Sequence, residues 1–297
     1  TQKNQWNYGG TPFSNDAALR WQSMTMNRYE MDMKETFVWN RLDSRMLRGG
    51  PDMRLNPYFQ TSLKVNTDKA QRMMFMLKYE GNHNLDGYNR FNTLSPSLTF
   101  RLGNHVYLSG QVDYAWNTDN MQYVGTLKSS AASSAQDDPS LIYLMGHMDQ
   151  KTYGVTMRLQ VNVTPDISIQ FYGSPFTSTA KFSDFKEAAD TKSHTYDERF
   201  HIFSGDELNY ADGTYHIKSE GREASFKNPD FSFNEFRSNL VARWEYLPGS
   251  TLYFVWEHRM SNQESRKIDG WGSNLDRMFG LPATNTFMLK MNYWFNL

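Results

Sequence analysis

The sequence predicts an all-β fold: an antiparallel transmembrane β-barrel of the outer-membrane kind, with about eleven to twelve or more strands in this chain. Three observations predict it. Apolar residues alternate with polar ones over long stretches, tight turns alternate with long polar loops, and no amphipathic helix long enough to cover a sheet lies between the strands. In such a barrel each lipid-facing residue is followed by a polar one turned inward, so the apolar surface never forms an apolar run.

The composition agrees. Aromatic residues make up 15% of the 297 residues, with 20 Phe, 17 Tyr and 8 Trp, yet the mean hydropathy is -0.71. No stretch reaches the roughly 18 apolar residues of a membrane-crossing helix, so a membrane role has to use strands or surface attachment. With 31 basic and 32 acidic residues the net charge is -1, and no nucleic-acid partner is expected. The absence of cysteine excludes thiolate catalysis, disulfides and Cys-ligated metals. One domain is expected over residues 1–297. The opening "TQKNQWNYGG" lacks the basic and apolar regions of a signal peptide and reads as a mature or truncated start.

Taken in order, "LRWQSMTMNRY" and "KETFVWN" read as strands of weaker pattern, and "MRLNPYFQTSLKV" and "RMMFMLKYE" as a hairpin around "NTDK". In "LSPSLTFRLGNHVYLSGQVDYAW", Leu94, Leu98, Phe100 and Leu102 answer Val106, Leu108, Val112, Tyr114 and Trp116. The clearest segment is "KTYGVTMRLQVNV", where Tyr153, Val155, Met157, Leu159, Val161 and Val163 alternate with polar or small residues. "TPD" follows, and Ile167, Ile169 and Phe171 resume the same odd parity, so pairing 163 with 167 keeps the apolar set on one face. The same device recurs where Leu240, Ala242, Trp244 and Tyr246 continue past Pro-Gly-Ser into Leu252, Phe254 and Trp256. The closing "TNTFMLKMNYWFNL" places Phe287, Leu289, Met291, Tyr293, Phe295 and Leu297 on one side of a final strand.

Short turns are expected at 66–70, 103–105, 164–166 and 248–250. Between them come polar loops: "GNHNLDG", "SSAASSAQDDPS", a stretch from about Thr177 to Pro229, and "SNQESRKIDGWGSNLDRMFGLPA". Outer-membrane barrels show this asymmetry. The faces opposite the apolar ones carry Arg72, Lys78, Glu80, Arg101, Asp113, Arg158, Arg243, Glu245, Glu257 and Arg259, charges that suit a wet or plugged lumen better than a closed protein core. Arg243 and Glu257 are expected within diagonal reach of each other. About eleven strands is an odd count, which does not fit an even-stranded single-chain barrel: either a weak strand at the start adds one more, or, the favoured reading, this is the C-terminal part of a longer protein.

The stretches "NVTPDISIQFYGSPFTSTAKFSDFKE", "FRSNLVARWEYLPGSTLYFVW", "RGGPDMRLNP" and "FMLKMNYWFNL" resemble an uncharacterised Gram-negative outer-membrane family. In that family a carbohydrate-binding family-9-like domain precedes a large C-terminal barrel of unknown function. The resemblance implies an outer-membrane location, a missing N-terminal binding domain together with some early strands, and a link to glycans. It supplies no catalytic residues. A final strand ending in an aromatic also resembles the signal read by the barrel-assembly machinery, with Tyr293, Phe295 and Leu297 as its apolar side and Phe295 as the key aromatic.

Other candidate chemistry is thin. His194, Glu198 and His201 would share one face of a helix and suit a divalent metal, but the flanking sequence is not helical. Asp206, Glu207 and Asp212 offer hard oxygen ligands without a calcium-loop spacing. No local spacing selects a nucleophile, base and orienting carboxylate. No metal and no cofactor are expected, and the segment around Trp271, Leu275 and Met278 reads as a short helix that plugs the barrel or presents a binding face. The expected function is a non-enzymatic barrel: a pore, or an anchor in an envelope complex, with membrane lipid, the assembly machinery, other envelope proteins and glycans as partners. The alternative is a barrel-embedded hydrolase acting on lipid or glycan.

Overall fold

The computed structural model describes residues 1–6, 10, 12–130, 141–265 and 270–295. Its strands are β1 (Gln2–Trp6), β2 (Pro12–Met24), β3 (Glu30–Trp39), β4 (Arg41–Asp43), β5 (Met53–Leu55), β6 (Tyr58–Asn66), β7 (Met73–Asn84), β8 (Arg90–Leu102), β9 (Val106–Lys128), β10 (Leu141–Asn162) and β11 (Ile167–Ala188). After a 3-10 turn at Asp197–Arg199 come β12 (Phe200–Ile202), β13 (Leu208–Ala211), β14 (Thr214–Ser219), β15 (Arg222–Lys227), β16 (Phe231–Leu247) and β17 (Ser250–Glu264). The helix α1 (Trp271–Phe279) and the strand β18 (Thr284–Asn292) complete the order.

The fold is all-β and antiparallel. One large sheet runs β1-β2-β3-β6-β7-β8-β9-β10-β11-β16-β17-β18, with β12 added beside β11. Among the described residues no pairing joins β1 to β18. The twelfth strand on this path is β1, a polar "QKNQW" whose apolar signal is a single Trp, which is why the sequence count stops near eleven.

Because neighbours are antiparallel, the connections 25–29, 67–72, 103–105, 163–166 and 248–249 fall at one end of the sheet, and the five-residue connection 85–89 between β7 and β8 falls at the other. The expected hairpin registers hold: Val161 faces Ile169, Phe100 faces Leu108, and Leu240 faces Trp256. The hairpin around "NTDK" also forms, but its "MRL" belongs to β5, which pairs with β4 in a separate ribbon.

The other end is built, not loose. Strands β9, β10 and β11 run 23, 22 and 22 residues, about twice the 9–11 that cross a bilayer. Leu144 and Met145 are adjacent on β10 and point to opposite faces, yet both are fully buried, 0% exposed. Leu144 joins Ile142, Phe185, Ile217 and Phe226 in one apolar cluster, and Met145 joins Leu47, Met53, Met121 and Phe200 in another. Protein therefore covers both faces here: β13-β14-β15 on one side, and the ribbon β4-β5 with the segment around Phe200 on the other. The expectation of a polar loop from about Thr177 is corrected. β11 continues to Ala188, and the rest contains a three-stranded sheet whose turns at Asp212-Gly213 and Glu220-Gly221 hold both residues at positive φ.

Candidate functional surface

The registers sort the side chains of the large sheet into two faces. One row of directly opposed residues reads Met73, Phe100, Leu108, Leu159, Phe171, Leu240, Trp256 and Phe287, one from each of β7 to β11 and β16 to β18. Every member is apolar. The next row on that face, Leu102, Val106, Val161, Ile169, Ala242, Phe254 and Leu289, repeats the pattern. These side chains are not covered by other parts of the described chain: Phe100, Leu108, Phe254 and Phe287 stay 39%, 46%, 40% and 64% exposed. A patch of this extent marks a surface that meets something other than water.

Aromatic residues flank the belt on the same face. Tyr114 stacks on Trp116 at 5.0 Å and on Tyr153 at 4.7 Å on the side away from the short turns, and Trp244 lies 6.0 Å from Tyr246 beside them. The helix α1 also sits on this face, with Trp271 at 5.8 Å from Tyr153, Phe279 at 5.3 Å from Phe236, and Met278 buried. Leu275 is half-buried. The helix thus lies at the margin of the apolar face and not over the charged one.

The registers put Arg72, Lys78, Glu80, Arg101, Asp113, Arg158, Arg243, Glu245, Glu257 and Arg259 all on the opposite, polar face, Arg72 at the turn margin. Most are satisfied locally. Lys78 pairs with Glu80 at 2.8 Å, Ser95 and Gln111 donate to Asp113 at 2.6 and 2.8 Å, and Glu235 accepts from both Arg237 and Arg259 at 2.8 Å. The expected diagonal of Arg243 and Glu257 does not form. Arg243 faces Tyr253 and Glu257 faces Asn239, four residues away and about 13 Å along the strand. Arg243 binds its strand neighbour Glu245 instead, at 2.5 Å.

The final strand is shorter than its apolar pattern. β18 ends at Asn292 because its partner β17 begins at Ser250, so Tyr293 and Phe295 lie beyond the last ladder pair, Thr251 with Asn292. Both are exposed, with rings 4.7 Å apart, and the Trp294 N–H donates to Ser250 Oγ at 2.9 Å. Leu297 lies outside the described residues.

The carboxylate and histidine candidates go to different tasks. His194, Glu198 and His201 do not share a helical face, since only Asp197–Arg199 turn and His201 is in β12. Ser193 donates to Glu198 at 2.6 Å, while Glu207 accepts from His201 at 2.9 Å, from the Ser204 N–H at 2.9 Å and from Ser219. These donors, the Ser204 N–H foremost, hold the Glu207 carboxyl down at about 2. A hydrolytic relay needs the histidine between nucleophile and carboxylate. Here one ring atom, His201 Nε2, meets both Glu207 and Ser219, the latter at 3.5 Å, so the ring does not bridge the two. Asp212 occupies a tight turn, and among the described residues no group of three His, Asp or Glu side chains could hold a metal ion.

A structural latch absent from the sequence reading ties the covered end together. Arg199, 1% exposed, donates to the Arg54 carbonyl at 2.5 Å and to Asn56 Oδ1, and Asn56 in turn donates to Asp86. Tyr196 stacks on Tyr88 at 3.9 Å and donates to the Asn120 carbonyl at 3.1 Å. Burial pushes its phenol above the ordinary tyrosine range.

A family model described as a domain of unknown function, DUF5916, matches residues 3–297. The chain belongs to that family. The match spans the two-faced sheet and the covered end alike, so the DUF5916 domain includes both. A search of the curated proteins gives no match.

Proposed function

We propose that this DUF5916 chain is an outer-membrane β-barrel without enzymatic activity, serving as a pore or as the membrane anchor of an envelope complex. The observation that carries the reading is the eight-residue apolar row from Met73 to Phe287. In water such a surface demands a covering layer, and β18 exposes all nine of its residues. Hydrocarbon removes the demand.

The dimensions support it. Ile167, opposite Trp244, and Thr177, opposite Tyr153, are ten residues apart on β11, about 33 Å of strand, which at a tilt of about 40° gives a height of about 25 Å. That is the height of an outer-membrane apolar band between aromatic girdles. The double-covered end would stand above the membrane. The polar face, with its internal ion pairs, suits a wet lumen. The finer resemblance, to barrels that follow a carbohydrate-binding domain, fits an envelope role with glycan-linked partners.

Two-sided labelling tests this. The chain has no cysteine, so single cysteines can replace Val155, Met157, Leu159 and Val161 in one set, and Thr156, Arg158, Gln160 and Asn162 in the other. In vesicles the first set should react only with a lipid-soluble thiol reagent, and the second with a membrane-impermeant one. A first set closed to both reagents, or a protein that stays soluble without detergent, would overturn the membrane reading.

A further inference from the structure

The polar face carries one cavity whose chemistry is unlike the rest of that face. It has a volume of about 370 Å³ and is lined by Tyr107, Arg158, Gln160, Gln170, Tyr172 and Asn239 near the short-turn end. The registers explain why these residues meet. Ser109, Arg158, Tyr172 and Asn239 form one row across β9, β10, β11 and β16, and Tyr107, Gln160, Gln170 and Val241 form the next. The cavity is thus set in the ladder itself, and its volume falls within the range of small-molecule sites.

Its charge is unbalanced. Three arginines elsewhere on this face have a carboxylate neighbour: Arg20 with Asp32, Arg243 with Glu245, Arg259 with Glu235. No carboxylate lines the cavity, and Arg158 has only the Tyr172 ring, 5.5 Å from its guanidinium carbon. Arg101 extends the second row beyond Tyr107 and lies over that ring at 6.0 Å, again without an ion pair among the described residues. Arg158, on its aromatic support, therefore faces a space that no carboxylate lines, and Arg101 lines the neighbouring hollow that shares Tyr107 and Gln160. Its hydrogen-bonding capacity is unused too. Asn239 Oδ1 is buried without a partner among the described residues, and the side chains of Gln160 and Gln170 are exposed.

We propose that this cavity binds an acidic sugar, a hydroxylated ring bearing one carboxylate or phosphate. Arg158 receives the anion through charge-assisted hydrogen bonds. Asn239 Oδ1 accepts from a ring hydroxyl, and the two glutamine amides each supply a donor and an acceptor to further hydroxyls. Tyr107 and Tyr172 give the apolar C–H face of a ring a surface to lie on.

The test is calorimetric titration of the purified full chain, in detergent if it needs one, with glucuronate, glucose 6-phosphate, glucose and inorganic phosphate. Glucuronate or glucose 6-phosphate should bind at least about tenfold more tightly than glucose or phosphate, the weight of one charged hydrogen-bonded contact. Arg158→Gln should erase that preference, Asn239→Leu should weaken both acidic sugars, and Arg20→Gln, remote from the cavity, should change nothing. Arg158→Lys, which keeps the charge, should retain part of the preference and guards against a variant that misfolds. Equal binding of glucose and glucuronate, no binding by any sugar, or binding indifferent to Arg158→Gln and Asn239→Leu would overturn the site. The outcome is separable from the membrane reading: a water-soluble chain that binds glucuronate removes the barrel and keeps the site, and a detergent-dependent chain that binds nothing does the reverse.

Discussion

Arg199 reaches Arg54, 145 positions away in the chain, and donates from Nη1 to its carbonyl oxygen at 2.5 Å. With Asn56 bridging onward to Asp86, one buried side chain holds three separate connections of the covered end: that between β3 and β6, that between β7 and β8, and the segment after β11. Arg199→Met keeps the bulk and removes the donors, leaving the Arg54 carbonyl and Asn56 Oδ1 unpaired. The expected cost is about 2–4 kcal/mol, confined to this end. Limited trypsin digestion checks it: cleavage at Arg45, Arg48 and Lys192 should accelerate while β6 and β7 stay protected. Unchanged cleavage would mean that Arg199 is a passenger.

Leu159 and Gln160 are neighbours on β10 and belong to opposite faces. On the barrel reading, Leu159→Arg should cost about 2–4 kcal/mol near the bilayer midplane, and Gln160→Arg much less, because water reaches the polar face. Urea refolding into lipid vesicles measures both. Equal penalties would contradict the assignment of faces.

The acid behaviour of the covered end follows from Glu207. Its folded pKa of about 2 lies below the ordinary glutamate value, about 4.3 in an unfolded chain. A depressed carboxylate stabilises the fold fully above the unfolded value, and that contribution is lost as pH falls from about 4.3 toward 2. Amide protection factors of β13, β14 and β15, each taken against the unfolded rate at the same pH, should therefore fall over that window while those of the belt strands do not. Glu207→Gln should remove the pH step and leave these strands weaker at neutral pH. A wild-type step above pH 5 would point to another group.

Glu235 lies between Arg237 and Arg259 on the polar face. If the chain conducts, its mixed arginine and glutamate wall predicts weak ion selectivity in a planar bilayer. Glu235→Gln leaves both guanidiniums uncompensated, so the reversal potential in a salt gradient should move toward anion preference. A shift toward cations would place Glu235 off the conduction path.

Much of the sheet was legible because alternation and turn chemistry are local. Val161 had to face Ile169 once "TPD" closed the hairpin, and the short turns mark one end without any knowledge of the third dimension. The covered end was not legible as alternation. "LIYLMGHM" at 141–148 opens with five apolar or aromatic residues in a row because both of its faces are packed, and a continuous run reads equally as helix or strand. "ADGT" and "SEGR" did carry a hairpin signal, in a stretch that otherwise reads as polar loop. Arg199 could not have been found, since its partners at 54 and 56 come close only after the whole sheet forms. The same holds for the cavity: Tyr107, Arg158 and Asn239 are distant in sequence and adjacent only through the registers.

The apolar row takes one residue from each strand and never two in succession. On the membrane reading this has a consequence for how the polypeptide travels. A device that sorts nascent chains by the length of a continuous greasy stretch meets nothing here to stop it, and the unpaired chain, with a mean hydropathy of -0.71, can cross an aqueous compartment. Its affinity for lipid does not exist until neighbouring strands pair and bring the alternate residues into line. Insertion and folding are then a single event, and a strand that slipped by one position would turn its charges toward the lipid and fail at both together.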